Sequence, residues 1–196
     1  MNTHIFQRIS ELYGNPGDKV DFGIQALVGE FEFIQHISKG ENVWSLDEEK
    51  PTLYFNEHGV LAEFSARGGK ENCIRIIPPN SLFWSESSFL LGAKTDSSMR
   101  CIKESIIYGI SGMNVQQITA EYGLGYKLAN NLTALDIKLY RSRTWDLSLL
   151  RPAERLKKAL GENPSLLSFI TRDELAGYLD LSRSTLFRVL NTWHHE

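Results

Sequence analysis

The stretch Ile170-Thr171-Arg172-Asp173-Glu174-Leu175-Ala176-Gly177-Tyr178-Leu179-Asp180-Leu181-Ser182-Arg183-Ser184-Thr185-Leu186-Phe187-Arg188-Val189-Leu190-Asn191-Thr192-Trp193 decides how this 196-residue chain is read. Thr171 followed three residues later by Glu174 is a capping box. The threonine oxygen accepts from an orphan backbone N–H and the glutamate reaches back to the cap, so a helix is expected to start there. Leu175, Ala176 and Leu179 make its inner face. A tight turn at Asp180-Leu181 leads to Ser182, a good N-cap for a second helix. On that helix Leu186, Val189, Leu190 and Trp193 share one side. At about 100° per residue, Ser184, Arg188 and Asn191 fall on the other, with Arg183 near the N-terminal end. Two short helices joined this tightly, with small Ala176 at the crossing, describe a helix-turn-helix. An αα-hairpin with solvated arginines is the plainer alternative. The two caps and the outward Arg/Ser/Arg/Asn set favour DNA binding, since arginine pairs bidentately with guanine and Ser and Asn offer adaptable contacts.

Working upstream, residues 124–150 contain no proline and carry Leu128, Leu132, Leu135 and Leu139 at spacings of four, three and four. That is one helical stripe on a long helix. The stripe fits equally a helix packed on its own domain and a dimer seam of coiled-coil type. Arg151-Pro152 breaks or restarts the helix, because proline suits a first helical turn and not an interior. A shorter basic helix at 153–160 ends at Gly161 and Pro164.

The N-terminal half reads differently. Ile5, Phe6, Ile9, Leu12 and Tyr13 lie at helical spacing over residues 4–13, and Gly14-Asn15-Pro16-Gly17 stops them. From about residue 26 to 111 the pattern becomes β-rich, with runs at 31–37, 52–55, 60–66, 72–77 and 98–110. Turn signals separate them at Lys39-Gly40, His58-Gly59, Gly68-Gly69 and Pro78-Pro79. Five or more short strands close together predict a sandwich or small barrel. In the last run Ile102, Ile106, Tyr108 and Ile110 share one parity, as in a half-buried strand, with Glu104 breaking it.

Charge is distributed as unevenly as structure. The net charge is −3, which taken alone argues against a phosphate-bearing partner. Yet residues 138–158 hold seven basic groups (Lys138, Arg141, Arg143, Arg151, Arg155, Lys157, Lys158) against Asp146 and Glu154, a net of +5. Residues 171–196 carry −1, which leaves −7 on the remainder, so an acidic body adjoins a basic segment.

Composition excludes other classes. Hydrophobic residues at 42% and charged residues at 23% rule out collagen-like, low-complexity and wholly disordered chains. No apolar run approaches ~18 residues and no secretory signal opens the chain, so a cytoplasmic protein without membrane contact is expected. Cys73 and Cys101 are too few for a disulfide framework or a thiolate metal site and read as buried free thiols. His36 and His58 lack the His-x-His pattern of a metal-dependent cupin, and terminal His194-His195 reads as frayed and solvent-exposed. Gly68-Gly69-Lys70 lacks the remainder of a P-loop, and Gly123-Leu124-Gly125 is a helix-entry signal. No nucleophile, base and orienter assemble, so neither an enzyme nor a cofactor or metal site is expected.

The order of parts resembles the CRP/FNR-type transcription regulators. The residues carrying the resemblance are 171–190, similar to the family's helix-turn-helix signature, with weaker support from Thr52-Leu53-Tyr54-Phe55 and Gly59-Val60. The resemblance implies an α+β fold: an N-terminal double-stranded β-roll (a cyclic-nucleotide-binding-like jelly roll) over 1–122, a long dimerisation helix over 123–150 and a helix-turn-helix domain over 151–196. It implies a homodimer through 124–150 that reads an inverted repeat on double-stranded DNA. Arg183, Ser184 and Arg188 take the family's base- and phosphate-contacting positions, flanked by Thr185, Asn191 and Arg172. Three departures stand out. Asp180 replaces the family's turn glycine, Ser184 stands at a position often acidic, and the chain stops at Trp193-His-His-Glu196 where the family continues into a β-hairpin wing.

In the sensor half the family's Gly-Glu pair at a phosphate-binding turn corresponds to Ser85-Glu86. The following arginine corresponds to Asp96-Ser97-Ser98, with Arg100 nearby but displaced along a strand. Ser85, Glu86, Ser97 and Ser98 are therefore candidate ligand residues. A buried phosphate without a guanidinium is unfavourable, and Asp96 repels it. A different small-molecule effector, or none, is expected. The competing expectation is a sensor or adaptor dimer that acts through a protein or small molecule without DNA.

Overall fold

A computed structural model of the chain describes residues 3–14, 18–65 and 71–193. Helices α1 (Thr3–Tyr13) and α2 (Asp18–Gly29) precede six strands: β1 (Glu32–Ile37), β2 (Asn42–Trp44), β3 (Thr52–Ser65), β4 (Asn72–Ile77), β5 (Ser81–Phe83) and β6 (Ser98–Ser111). A single π-helical turn, Glu86–Leu90, interrupts the last two. Then follow α3 (Gly112–Glu121), α4 (Gly125–Leu149), α5 (Pro152–Glu162), a 3-10 turn (Leu166–Ser168), α6 (Arg172–Leu179) and α7 (Arg183–Trp193). The fold is α+β, with one antiparallel sheet of six strands.

The spine is the long pair β3 and β6, in register from Thr52↔Ser111 to Phe64↔Ser98. Its first half, in β3 order, carries β5 and β1 on its flanks, and its second half carries β4 and β2. Register shifts between Asn56 and Leu61 bend the spine where the halves meet, as bulges do by adding unpaired residues to one strand. The sheet thus folds on itself as a roll. Ile37, Trp44, Leu61, Ile77, Phe83 and Met99, one from each strand, are buried together inside it. Trp44, Tyr54 and Phe83 stack there at 5.1–5.8 Å between ring centroids.

Three expectations are corrected by this arrangement. His58-Gly59 is no turn between two strands but a bend within one. Gly59 has φ +85°, and a Cβ there would stand 2.0 Å from the Glu104 carbonyl oxygen, so only glycine lets β3 cross β6 so closely. The 98–110 run is buried on both faces. Its odd residues Met99, Cys101 and Ile107 fill the roll interior, while Ile102 and Ile110 lie under helices. Helix α2 takes residues 26–29 from the expected β region, and α3, β2 and β5 were not signalled by periodicity because each is short or half-buried.

The outer faces of the roll are covered by helices. Ile5, Ile9, Ile24 and Leu27 of α1 and α2 bury against Leu53, Phe55 and Ile110 of the sheet. Leu128 and Leu132 of α4 join that cluster at 3% and 0% exposure, with Leu135 partly buried beside them. The leucine stripe is therefore spent within the chain, and its last member, Leu139, is exposed. Among the described residues no helix is long and apolar enough to cross a membrane.

On the opposite outer face the helix-turn-helix lies directly on the sheet. Val60, Ala62, Phe64, Cys73 and Ile102 share one buried cluster with Leu156, Phe169, Leu175, Ala176, Leu179, Leu186 and Val189. Gly177 permits the approach of α6 to β4, since a Cβ there would lie 3.3 Å from the Cys73 backbone nitrogen. Both thiols are buried and free, as expected. Burial pushes that of Cys73 up to about 12.

Candidate functional site

The two expected caps form. Thr171 Oγ1 accepts from the Glu174 N–H at 3.2 Å, and the Thr171 N–H donates to Glu174 Oε2 at 2.8 Å. Ser182 Oγ accepts from the Thr185 N–H at 3.1 Å. Between the helices Asp180 adopts the left-handed conformation (φ 51°, ψ 53°) that most often falls to glycine. Its short polar side chain tolerates that geometry better than most. Leu186 and Val189 pin α7 to α6 and to the core.

With the apolar side fixed inward, Arg183, Ser184, Arg188 and Asn191 are exposed, and so is Arg172 at the start of α6. Thr185 is half-buried beside the cap. The structure thus gathers the six sequence-derived positions on one head. Arg183 forms an ion pair with Asp173 of α6, both well exposed. The side chain of Trp193 lies outside the described residues, as do Gly68-Gly69-Lys70 and His194-His195. One residue was missed: Phe187 is 55% exposed, between Arg183 and Asn191 on α7. Its i±4 spacing from Arg183 and Asn191 was legible in the sequence, but its apolar side chain is of the kind that helices more often bury.

The basic segment divides into two groups. Arg155 donates to the carbonyls of Leu147, Leu150 and Leu179, tying α4, α5 and α6 together. Arg143 donates to the Tyr178 carbonyl at 2.6 Å and lies over the Tyr178 ring. Lys158 pairs with Asp146 and approaches Glu162. These three cations are clamps within the chain. Lys138, Arg141, Arg151 and Lys157 are exposed.

In the β-roll, the candidate ligand residues are engaged internally. Ser85 Oγ caps the π-helical turn by accepting from the Ser88 N–H, Ser97 Oγ donates to Glu63 Oε1 at 2.6 Å, and Ser98 pairs in the sheet opposite Phe64. Glu86 faces the Arg75 guanidinium at 3.5 Å. Arg75 Nη1 also stands 4.0 Å from Glu63 Oε2 and 3.9 Å from Asp136 Oδ1, and Trp84 Nε1 donates to Asp136 Oδ2. One guanidinium thus faces three carboxylates from β3, the π-helical turn and α4. Burial raises the Glu63 carboxyl to about 7, with Ser97 and Arg75 opposing and Glu86 and Asp96 adding to the rise. Burial, with Glu86 beside it, likewise raises Asp136. Arg100, the displaced arginine, turns instead to Glu71 at 2.6 Å and to the Phe64 ring. His36 is exposed and lies 3.4 Å from Glu104.

The outward side of α4 carries Tyr126, Asn130, Thr133, Ile137, Tyr140 and Thr144, alternately four and three residues apart and all exposed. This stripe lies about half a turn from the leucines. Its spacing is that of a helix-pairing seam, and its mixed composition hid it from a search for leucines.

The sequence matches no family model and no curated protein. In three dimensions it is similar to solved regulators. The catabolite activator protein of Thermus thermophilus superposes with a TM-score of 0.54 at 21% identity, covering 94% of this chain and 86% of that one. FixK2 of Bradyrhizobium japonicum superposes with a TM-score of 0.70 at 16% identity, covering 84% and 85%. The c-di-GMP-responsive global regulator CLP of Xanthomonas campestris superposes at 0.63 and 16%, covering 89% and 91%. Roll, long helix and terminal helix-turn-helix follow one another in the order these folds share, and the chain has the fold of the CRP/FNR-type transcription regulators.

Proposed function

We propose that this protein is a dimeric transcription regulator that reads an inverted repeat on double-stranded DNA through α7. The observation that carries the reading is the outward face of α7, where Arg183, Ser184, Arg188 and Asn191 stand exposed on a helix capped by Ser182 and pinned by Leu186 and Val189. Such a helix presents donors to base edges in the major groove. Arg172 and Thr185 take phosphates beside it, a role that fixes register without reading sequence. Residues 1–122 serve as sensor, 123–150 as dimerisation helix and 151–196 as reading head. Pairing along the Tyr126/Thr133/Ile137/Tyr140 stripe makes the dimer, and its two-fold axis sets half-sites one helical turn apart, ~34 Å. The protein is not an enzyme. Its sensor does not take a cyclic nucleotide, because the guanidinium beside Glu86, that of Arg75, is already faced by Glu63, Glu86 and Asp136 and is not free for a cyclic phosphate.

The second reading, an adaptor without DNA binding, draws on the internal engagement of Arg143, Arg155 and Lys158 and on the Arg183–Asp173 pair. Selection of a random duplex pool with the full-length protein separates the two. Enrichment of an inverted repeat supports the regulator, and no enrichment at low salt supports the adaptor.

A further inference from the structure

Helix α7 spends Leu186, Val189 and Leu190 on the shared core, yet it keeps a further large apolar side chain outside. Phe187 is 55% exposed and sits one turn from both Arg183 and Asn191, with Ser184 and Arg188 beside it. It belongs to none of the buried clusters and has no ring partner among the described aromatic pairs. An exposed ring set between the polar side chains of Arg183 and Asn191 gains from an apolar counterpart on whatever that face meets. The edges of base pairs in the major groove offer donors, acceptors and a single apolar group, the thymine 5-methyl. We propose that Phe187 is a specificity-determining residue that packs against a thymine 5-methyl in each half-site. The proposal rests on the reading of α7 as a DNA-recognition helix and deepens it. Arg183 and Asn191, one turn to either side, anchor flanking base edges or phosphates, and the ring distinguishes thymine from cytosine, which presents hydrogen there.

The test uses the full-length protein and the duplex recovered from random-pool selection. Each thymine of the duplex is replaced in turn by deoxyuridine, which removes the methyl and leaves base pairing intact. For the wild type, one symmetry-related thymine per half-site is expected to lose affinity by about fourfold, the value of one buried methyl-sized group. In Phe187→Ala that position becomes indifferent to the methyl while sensitivity to Arg188-dependent positions persists, and Phe187→Leu restores part of the discrimination. The side chain is largely outside the core, so circular dichroism and melting of the variants should match the wild type. A flat deoxyuridine scan, or a methyl effect that survives in Phe187→Ala, overturns the proposal while leaving DNA binding standing. Failure to enrich any sequence overturns both.

Discussion

Replacing Glu63 by glutamine is expected to remove one of the two main sources of pH dependence of this fold between pH 5 and 8, the other being Asp136. Glu63 is 2% exposed, and in the fold its carboxyl ionises near about 7 instead of at its ordinary 4.5. It interacts with Arg75 from β4, Glu86 from the π-helical turn, Asp96 ahead of β6 and Tyr140 from α4, while Asp136 of α4 shares the same Arg75. Between those two values the folded chain holds a proton that the unfolded chain has released. Raising the pH through that window therefore favours unfolding, and the contribution is fully present below about 4.5 and lost above about 7. At about 1.4 kcal/mol per pH unit, the loss from this one carboxyl is about 3 kcal/mol, and Asp136 acts in the same direction. Glutamine is neutral throughout, and its carbonyl can still accept the Ser97 hydroxyl. Urea unfolding at pH 5, 6, 7 and 8 should show the wild type falling steadily, the variant falling less steeply because Asp136 remains, and the two closest near pH 5. A wild type that is level or gains stability over that range would refute the reasoning, as would an equal decline in Glu63→Gln.

The remaining predictions concern the head and the long helix. Arg188→Ala should weaken specific binding by ~1 to 3 kcal/mol and relax one base position, which binding to single-base variants of the selected site checks. Lys157→Ala should weaken binding to all sequences and reduce the salt slope by about one. Lys158→Ala should instead lower the melting temperature, since that lysine is held by Asp146. Asp173→Asn frees Arg183 from its exposed ion pair and should tighten binding a few-fold at low salt, an effect that fades as salt screens it. Ile137→Glu should shift sedimentation equilibrium toward monomer with little change in melting. Leu132→Ala, by contrast, should destabilise the folded chain by about 2–5 kcal/mol through the cavity it leaves.

Much of the site was legible because its signals are local. Thr171 and Glu174, Ser182, and the apolar spacing of Leu175, Leu179, Leu186 and Val189 each act within one or two helical turns, and the caps and faces formed as those residues dictate. The strand runs were legible too, but their meaning was not. Whether His58-Gly59 turns the chain back or bends it depends on whether Val60–Ser65 pairs with β6 as a continuation of β3, a contact across some forty residues. The parity of β6 misled for a related reason: helices cover the outer face, so both sides of the strand are buried.

Chain-wide properties resisted sequence reading more firmly. The +5 segment looks like a phosphate-binding surface, and only packing reveals that Arg143, Arg155 and Lys158 close gaps between α4, α5 and α6. Arg75 carries no local signal, yet among the described residues it faces three carboxylates brought together from β3, the π-helical turn and the long helix. The leucines of α4 and its outer stripe have the same helical spacing, and only the presence of α1 and the sheet decides which side is spent. The sequence by itself determined the caps of α6 and α7, the inward and outward faces of that pair, and the order of roll, long helix and helix-turn-helix. Tertiary structure alone decided which charges are free, which face of α4 remains open and which charged groups meet at the edge of the roll. Caps and periodicities act through neighbours along the chain, whereas charge pairing and burial depend on groups that only the completed fold brings within reach.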